Sequence, residues 1–120
     1  MFTNDYQVII ENLINGGTRP ILVTIPPIER GKAMSANFSQ RDVNNFNRQI
    51  VAIASQYKVS YVNLNQLFMD LAAGQNYGFT MPGATQHGVH FSKASYVSFY
   101  HALDAAMQQE ILRIGKPCAN

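Results

Sequence analysis

Two short apolar runs constrain this chain more than any other feature of its sequence. Residues 21–25 and 59–64 are rich in β-branched side chains and are too short to be helices, so each is predicted to be a strand. Helical patterns precede and follow both runs, which favours parallel strands joined by right-handed crossovers, with helices on the faces of the sheet. A buried pair of strands leaves two edges with unpaired backbone groups. The sequence therefore resembles the second half of a larger α/β unit.

The first helix is predicted where apolar residues recur at three- and four-residue intervals between residues 6 and 14. Asn4 and Asp5 precede this pattern and are predicted to cap its amino end. Gly16 and Gly17 follow it and predict a glycine cap at its carboxyl end.

Three further helices are predicted from the same periodicity. Ser39 or Asp42 is predicted to cap a helix that ends at Tyr57, and a short helix is predicted over residues 66–73. Ser92 is predicted to cap the last helix. The chain thus alternates helices and strands without an internal repeat.

Composition narrows the class of protein. The chain has 120 residues, of which 47% are hydrophobic and only 13% are charged, so it is a folded domain and neither a disordered chain nor a coiled coil. Nine basic residues against seven acidic ones are scattered along the chain, which argues against a nucleic-acid partner.

The sequence contains no signal for a membrane or a disulfide. No stretch approaches the roughly 18 apolar residues of a membrane span, and the amino terminus lacks the order of charge and hydrophobicity of a signal peptide. The single cysteine, Cys118, excludes an intrachain disulfide. The compartment stays unknown.

His87 lies in the irregular segment 75–89, and His90 follows that segment directly, so two histidines are within four residues of each other. His87 and His90 are open to three interpretations: local hydrogen bonds, a metal pair completed by a distant ligand such as Asp70 or His101, or a general base. A loop of this length in a compact domain is usually functional or mobile. The surrounding residues favour the third interpretation.

The order and spacing of three segments carry more information than any one of them. They read DYQVIIENLINGGTRPILVTIPP, RQIVAIASQYKVSYVNLNQLF and HGVHFSKASYVSFYHAL. Together they resemble the carboxyl-terminal half of the SGNH (GDSL-type) hydrolases, where a late Asp-Gly-Val-His loop opens the final helix. The most specific match is Gly88-Val89-His90, with Ser92 and Tyr96 at the expected spacing.

This resemblance implies a fold and an activity. The fold class is α/β, a three-layer flavodoxin-like parallel sheet with helices on both faces, of which residues 1–120 would form one partial domain with the carboxyl-terminal strands and helices. The activity would be hydrolysis of a small ester or an acylated sugar through a Ser–His acyl-enzyme. No cofactor and no metal are implied.

The resemblance assigns catalysis first to His90, which matches the base that activates the serine nucleophile. His87 occupies the position where the family has an aspartate that orients the imidazole. A neutral histidine accepts a hydrogen bond but supplies no negative charge, and loss of that carboxylate in a serine triad costs on the order of 10⁴ in turnover.

The resemblance also suggests residues around the substrate, each with an alternative structural role. Asn4 matches a remnant of the oxyanion asparagine block, or simply begins the first helix. Pro27 would shape the pocket wall, or terminate the strand. Tyr77 and Phe91 would line an acyl pocket, or pack the loop. Asn63 stands where family members often have aspartate, at the end of the second strand.

The nucleophile block of the family belongs upstream of where this chain begins, and no serine here follows a Gly-Asp pair. Two functions therefore stay open. The chain is part of an ester hydrolase whose serine comes from elsewhere, or it is a catalytically inactive relative that acts as a binding or interaction module. Its partner would be another copy in a homo-oligomer, or the missing amino-terminal half.

Overall fold

A computed structural model describes residues 2–28, 39–73 and 92–114 of the chain. The predicted loop at 75–89, with Tyr77 and His87, lies outside these residues, as do His90 and Phe91. The described elements, in chain order, are α1 (Phe2–Asn15), β1 (Leu22–Val23), α2 (Gln40–Tyr57), β2 (Tyr61–Val62), α3 (Leu64–Ala73) and α4 (Lys93–Ile114). The described part is mostly helical with a small parallel sheet, which is consistent with part of an α/β fold.

The two strands pair in parallel, as the sequence predicts. Leu22 lies opposite Tyr61 and Val23 lies opposite Val62. The pairing extends one residue further, because the Thr24 N–H donates to the Val62 carbonyl at 3.0 Å.

Both strands are shorter than the sequence predicts, and at the carboxyl end of β1 a side-chain amide takes over the backbone groups. The Ile25 N–H donates to Asn47 Oδ1 at 2.6 Å, and Asn47 Nδ2 donates to the Ile25 carbonyl at 2.8 Å. After β2, Asn63 Oδ1 accepts the N–H of Gln66 at 2.9 Å and so caps α3. This cap starts α3 at Leu64, two residues before its predicted beginning.

The core consists of two clusters on opposite sides of the strand pair, since consecutive strand residues point to opposite faces. Leu22 belongs to the cluster against α1 and α2, and Val23 packs against the cluster that faces α3 and α4. The buried members of the first cluster are Ile10, Leu22, Ile50, Ile53, Ala54 and Val59. Those of the second are Val62, Leu64, Phe68 and Ala106.

The carboxyl end of α1 confirms the predicted glycine cap. Gly17 has a φ of 87°, a left-handed conformation that side chains rarely adopt. The Thr18 N–H donates to the Leu13 carbonyl at 2.9 Å and the Gly17 N–H to the Ile14 carbonyl at 3.0 Å. These two bonds form a Schellman motif and turn the chain toward β1.

The predicted amino cap of α1 is wrong. The helix begins at Phe2, so Asn4 and Asp5 lie inside its first turn instead of preceding it. The Asp5 carboxylate still stabilises this end, since negative charge is favourable near the amino terminus of a helix dipole.

The other helix ends combine two positions predicted as caps with one that the sequence does not reveal. Ser39 Oγ accepts the Asp42 N–H at 3.3 Å, which identifies Ser39 as the cap of α2. At the other end Lys58 adopts a left-handed conformation with a φ of 54°, although it is not a glycine. Ser92 directly precedes α4, and its carbonyl accepts the Tyr96 N–H at 3.2 Å.

A search of the described helices for a bilayer-spanning segment finds none with the required length and hydrophobicity.

Candidate functional site

Polar side chains meet at the carboxyl ends of β1 and β2, where ligands bind in open α/β sheets. Thr24 follows β1 and is 2% exposed. Its hydroxyl donates to Asn63 Oδ1 at 3.2 Å and accepts the N–H of Asn65 at 3.1 Å. Thr24 therefore ties the end of one strand to the first turn of the helix that follows the other.

A buried amide from α2 forms the second tie at this edge. Asn47 is 9% exposed and bonds both backbone groups of Ile25. Asn65 Nδ2 also donates to the Ile25 carbonyl, at 3.2 Å. Three elements are thus connected by amide groups around the end of β1.

An open cleft of about 400 Å³ lies beside these bonds. One wall is a face of α2 formed by residues at positions 44, 47, 48 and 51, whose spacing places them on the same side of a helix. The opposite wall comes from the end of β1 and the beginning of α3. The lining residues are Thr24, Asn44, Asn47, Arg48, Val51, Asn63, Asn65 and Gln66.

Several amide groups in this cleft have a hydrogen bond on one atom only. Asn44 Oδ1 accepts from Gln40, and Gln66 Nε2 donates to Asp70 at 2.6 Å. Over the described ranges, no partner is seen for Asn44 Nδ2, Gln66 Oε1, Asn63 Nδ2 or Asn65 Oδ1. The cleft therefore offers two amide donors and two carbonyl acceptors.

Replacing Asn47 by alanine is expected to lower the free energy of unfolding by about 1–3 kcal/mol, because the Ile25 N–H loses its partner at a partly buried position. Asn45→Ala on the same helix changes helix propensity equally but removes only a surface contact with Arg48. Urea unfolding of both variants measures the difference. Equal losses in the two variants would contradict a specific role for Asn47.

A different polar cluster lies at the amino ends of the strands. Glu110 of α4 is 5% exposed, accepts from Ser60 Oγ at 2.5 Å and accepts from Arg113 Nη2 at 2.7 Å. Its second oxygen, Oε2, is buried and lies 3.7 Å from Arg19 Nε. The hydrogen bond from Ser60 and the charges of both arginines lower the pKa of Glu110, although burial opposes this.

The Glu110 cluster fastens α4 to the chain just before each strand. Arg19 and Arg113 both donate to the carbonyl of Lys58 at 3.3 Å, so the left-handed end of α2 is part of the same network. Glu110 Oε1 and the Lys58 carbonyl accept hydrogen bonds from within the protein, and Glu110 Oε2 is paired with Arg19 by charge alone. We therefore regard this cluster as structural.

Two of the residues that the resemblance suggests lie in the described part. Asn4 is exposed in the first turn of α1, and Pro27 is buried shortly after β1. Because α1 ends at the amino end of β1 and runs back along it, its first turn lies toward the carboxyl edge of the sheet. Their roles toward a substrate stay predictions, as do those of His87, His90, Tyr77 and Phe91.

The two distant residues considered as metal ligands have other neighbours. Asp70 accepts the hydrogen bond from Gln66, and the His101 ring lies edge-on to Tyr100 with centroids 5.4 Å apart. Within residues 2–28, 39–73 and 92–114, no three His, Cys, Asp or Glu side chains are grouped as a metal would require.

Sequence reasoning did not find the amide-lined cleft. One signal was available: Asn47 lies three residues before Ile50 on the apolar face of α2, a position where a polar side chain needs a partner. The identity of that partner, the backbone of Ile25, depends on how α2 packs against β1.

No protein-family model matches the chain, and no curated protein does either. Solved structures do match. An acetyl xylan esterase is 21% identical with a TM-score of 0.73, and the match covers 88% of this chain and 53% of that one. A GDSL-like lipase from Bacteroides thetaiotaomicron is 20% identical with a TM-score of 0.64, over 93% of this chain and 51% of the lipase.

A third structure belongs to a Streptococcus pneumonia protein provisionally described as a platelet activating factor. It is 24% identical with a TM-score of 0.65, over 91% of this chain and 50% of that one. The chain thus spans about half the length of the structures it matches. At this identity the likeness establishes a shared fold, the SGNH/GDSL-like fold of esterases and lipases.

Proposed function

We propose that this chain provides the carboxyl-terminal part of an SGNH-type serine ester hydrolase. The observation that carries the proposal is the fold match to an esterase over 88% of the chain. On this proposal β1 and β2 are the last two strands of a three-layer flavodoxin-like sheet with helices on both faces. The substrate is a small carboxylic ester, with an acetylated sugar as the leading candidate.

His90 is the proposed general base. Its place in the sequence, three residues before α4, and the carboxyl edge formed by Thr24 and Asn63 support a position near the ends of the strands. The imidazole takes the proton of a serine hydroxyl while the serine oxygen attacks the ester carbonyl. It then gives that proton to the leaving alcohol as the ester C–O bond breaks, and a water molecule releases the acid by the reverse sequence.

The serine of this mechanism comes from residues outside this chain. Asn4 in the first turn of α1 is the proposed donor to the oxyanion, which needs N–H groups placed where negative charge develops. Pro27, Tyr77 and Phe91 are the proposed walls of the pocket for the acyl group. His87 replaces the carboxylate that orients the base, so the predicted turnover is low.

Serine-reactive chemistry tests this proposal directly. The 120-residue chain is mixed with the half of the acetyl xylan esterase that it does not match, and the mixture is treated with a fluorophosphonate probe. We expect an adduct on the serine of the esterase half that requires this chain and is lost with His90→Ala. The control is His101→Ala, at an exposed position of α4, which should leave the labelling unchanged. Labelling that ignores both substitutions would contradict the proposal.

A second candidate function, an interaction module, is favoured by apolar side chains that α4 leaves exposed. Val97, Tyr100, Met107 and Ile111 are between 46% and 63% exposed and follow one another at helical spacing. Among the described residues no strand pairs with the second edge of β1, since Leu22 and Thr24 both bond toward β2. On this proposal another copy of the chain covers both surfaces, in place of an amino-terminal half.

A lysine at the carboxyl-terminal end of that apolar row tests self-association. We expect the chain to have a solution mass that is a multiple of 13.4 kDa, and Ile111→Lys to shift it toward the monomer, since burying an unpaired charge in an interface is costly. Gln109→Lys, at an exposed position on the side of the same helix away from the row, should leave the mass unchanged. Light scattering after size exclusion measures all three. A wild-type monomer that unfolds cooperatively would contradict the module.

A further inference from the structure

We propose that the cleft between α2 and the beginning of α3 is a binding site for a neutral, polyhydroxylated ligand such as a sugar residue. Nothing in the proposed acyl-enzyme chemistry requires this cleft. Its chemistry is defined by amides: Asn44 on one wall, and Asn63, Asn65 and Gln66 on the other.

Amide side chains match hydroxyl groups because both offer a donor and an acceptor. The atoms without partners in the described part are the nitrogens of Asn44 and Asn63 and the carbonyl oxygens of Asn65 and Gln66. A sugar presents neighbouring hydroxyls that donate and accept in turn. Such a set of mixed groups therefore suits a sugar better than an ion of either sign.

The charge of the residues that line the cleft also favours a neutral ligand. Among the described residues that line it, Arg48 is the one ionisable side chain, and one Nη of its guanidinium already donates to Asn45. No carboxylate lines the cleft within the described part of the chain, and nothing there favours a cation. A single exposed arginine also gives little binding energy for an anion, because water and salt screen it.

The cleft is already held in its shape before a ligand binds. The Thr24 hydroxyl bonds the side chain of Asn63 and the backbone N–H of Asn65. The Ile25 carbonyl accepts a hydrogen bond from the side-chain amide of Asn65. Fixed side chains lose less entropy when they bind a ligand. The volume of about 400 Å³ lies in the range of small-molecule sites, and Val51 gives the C–H face of a sugar ring an apolar surface.

The location of the cleft connects it to the substrate. It borders the carboxyl ends of both strands, so a sugar held there would be the alcohol half of an acylated sugar. The assignment of the bound sugar to the substrate rests on the proposed function, whereas the binding of a sugar in the cleft does not. Sugar binding to this chain, together with serine labelling that does not depend on His90 in the mixture described above, would overturn the proposed function and leave the site intact.

Titration of the full 120-residue chain with cellobiose and with maltose, followed by NMR of the side-chain amide signals, tests the site. We expect saturable shifts of Asn44, Asn63 and Asn65 with at least one disaccharide. In Asn44→Leu/Gln66→Met, affinity should fall about tenfold or more, since hydrogen bonds are lost without loss of bulk. The matched control, Asn12→Leu/Gln56→Met on exposed positions of α1 and α2, should bind as the wild type does.

Inorganic phosphate is titrated in parallel to separate the sugar site from an anion site at Arg48. Phosphate binding without disaccharide binding would overturn the proposal, and so would disaccharide binding that the cleft substitutions do not weaken. An absence of saturable shifts with both disaccharides would overturn it as well. Thermal unfolding of every variant establishes that binding is compared between folded proteins, and the two single cleft substitutions replace the double one if it does not fold.

Discussion

Replacing both Arg19 and Arg113 by methionine is expected to lower the free energy of unfolding by about 3–5 kcal/mol, because the Glu110 carboxylate would then be buried without a compensating charge. Both arginines are partly exposed, with 39% and 51% of their side chains accessible, whereas the Glu110 side chain is 6% accessible. The loss of stability therefore comes from the buried carboxylate, whose charge would be left unpaired, and not from the partly exposed guanidinium groups. Urea unfolding at neutral pH measures the loss.

The carboxylate itself provides the decisive control. Adding Glu110→Gln to the double variant removes the buried charge while Ser60 keeps an oxygen to donate to, so part of the lost stability should return. Arg41→Met/Arg48→Met removes two exposed arginines of α2 and should cost no more than about 1 kcal/mol. If the triple variant is less stable than the double one, the buried charge is not the source of the loss.

The pH dependence of stability gives a second measure of the same carboxylate. The pKa of Glu110 is lowered in the folded protein relative to the unfolded chain, chiefly by the hydrogen bond from Ser60. Its contribution is therefore complete above the ordinary carboxyl value of 4.5 and is lost as pH falls through the lower folded pKa. As pH falls from 5 through the folded pKa of Glu110, the free energy of unfolding should decrease less in the single variant Glu110→Gln than in the wild type. The other carboxylates contribute equally to both proteins.

Local pattern predicted the elements of this fold better than their ends. Apolar periodicity located all four described helices and the parallel strands, and Ser39 and Gly17 were found because their caps depend on neighbouring backbone groups alone. The lengths of the strands depended on Asn47, which is far from β1 in sequence but replaces a strand neighbour for Ile25. Such a replacement is visible only after α2 has packed.

The same distinction explains which parts of the site could be predicted. The resemblance singled out residues by motif, and it assigned Asn63 to the edge of the sheet, where the structure also places it. It could not indicate that Asn44 and Arg48 face the same cleft as Asn63, since that proximity arises from the packing of α2 against β1 and has no motif. Glu110 was likewise missed, because two of its partners, Arg19 and Ser60, lie before the strands, whereas Arg113 is on its own helix.

The departure at position 87 gives the largest expected effect on activity. If His90 is the base and His87 stands where a carboxylate orients it, His87→Asp should raise kcat/KM for a chromogenic acetyl ester, by up to about 10⁴, in the assembly of this chain with a serine-containing amino-terminal half. The carboxylate would hold the imidazole in the tautomer that accepts the serine proton. It would also stabilise the imidazolium that then forms, whereas a protonated His87 would repel it.

Two comparisons separate orientation by charge from other effects of the substitution. His87→Asn has nearly the shape of aspartate but no charge, so it should gain little, and His87→Asp/His90→Ala should be as inactive as His90→Ala alone. His90→Ala by itself should lower kcat by about 10²–10⁴, the usual contribution of a general base, with little change in KM. Equal gains from aspartate and asparagine would mean that position 87 acts by size, and a gain that survives His90→Ala would mean that another group takes the proton. Because the four variants differ only at positions 87 and 90, their rates locate the base without knowledge of the acyl group and the alcohol of the natural ester.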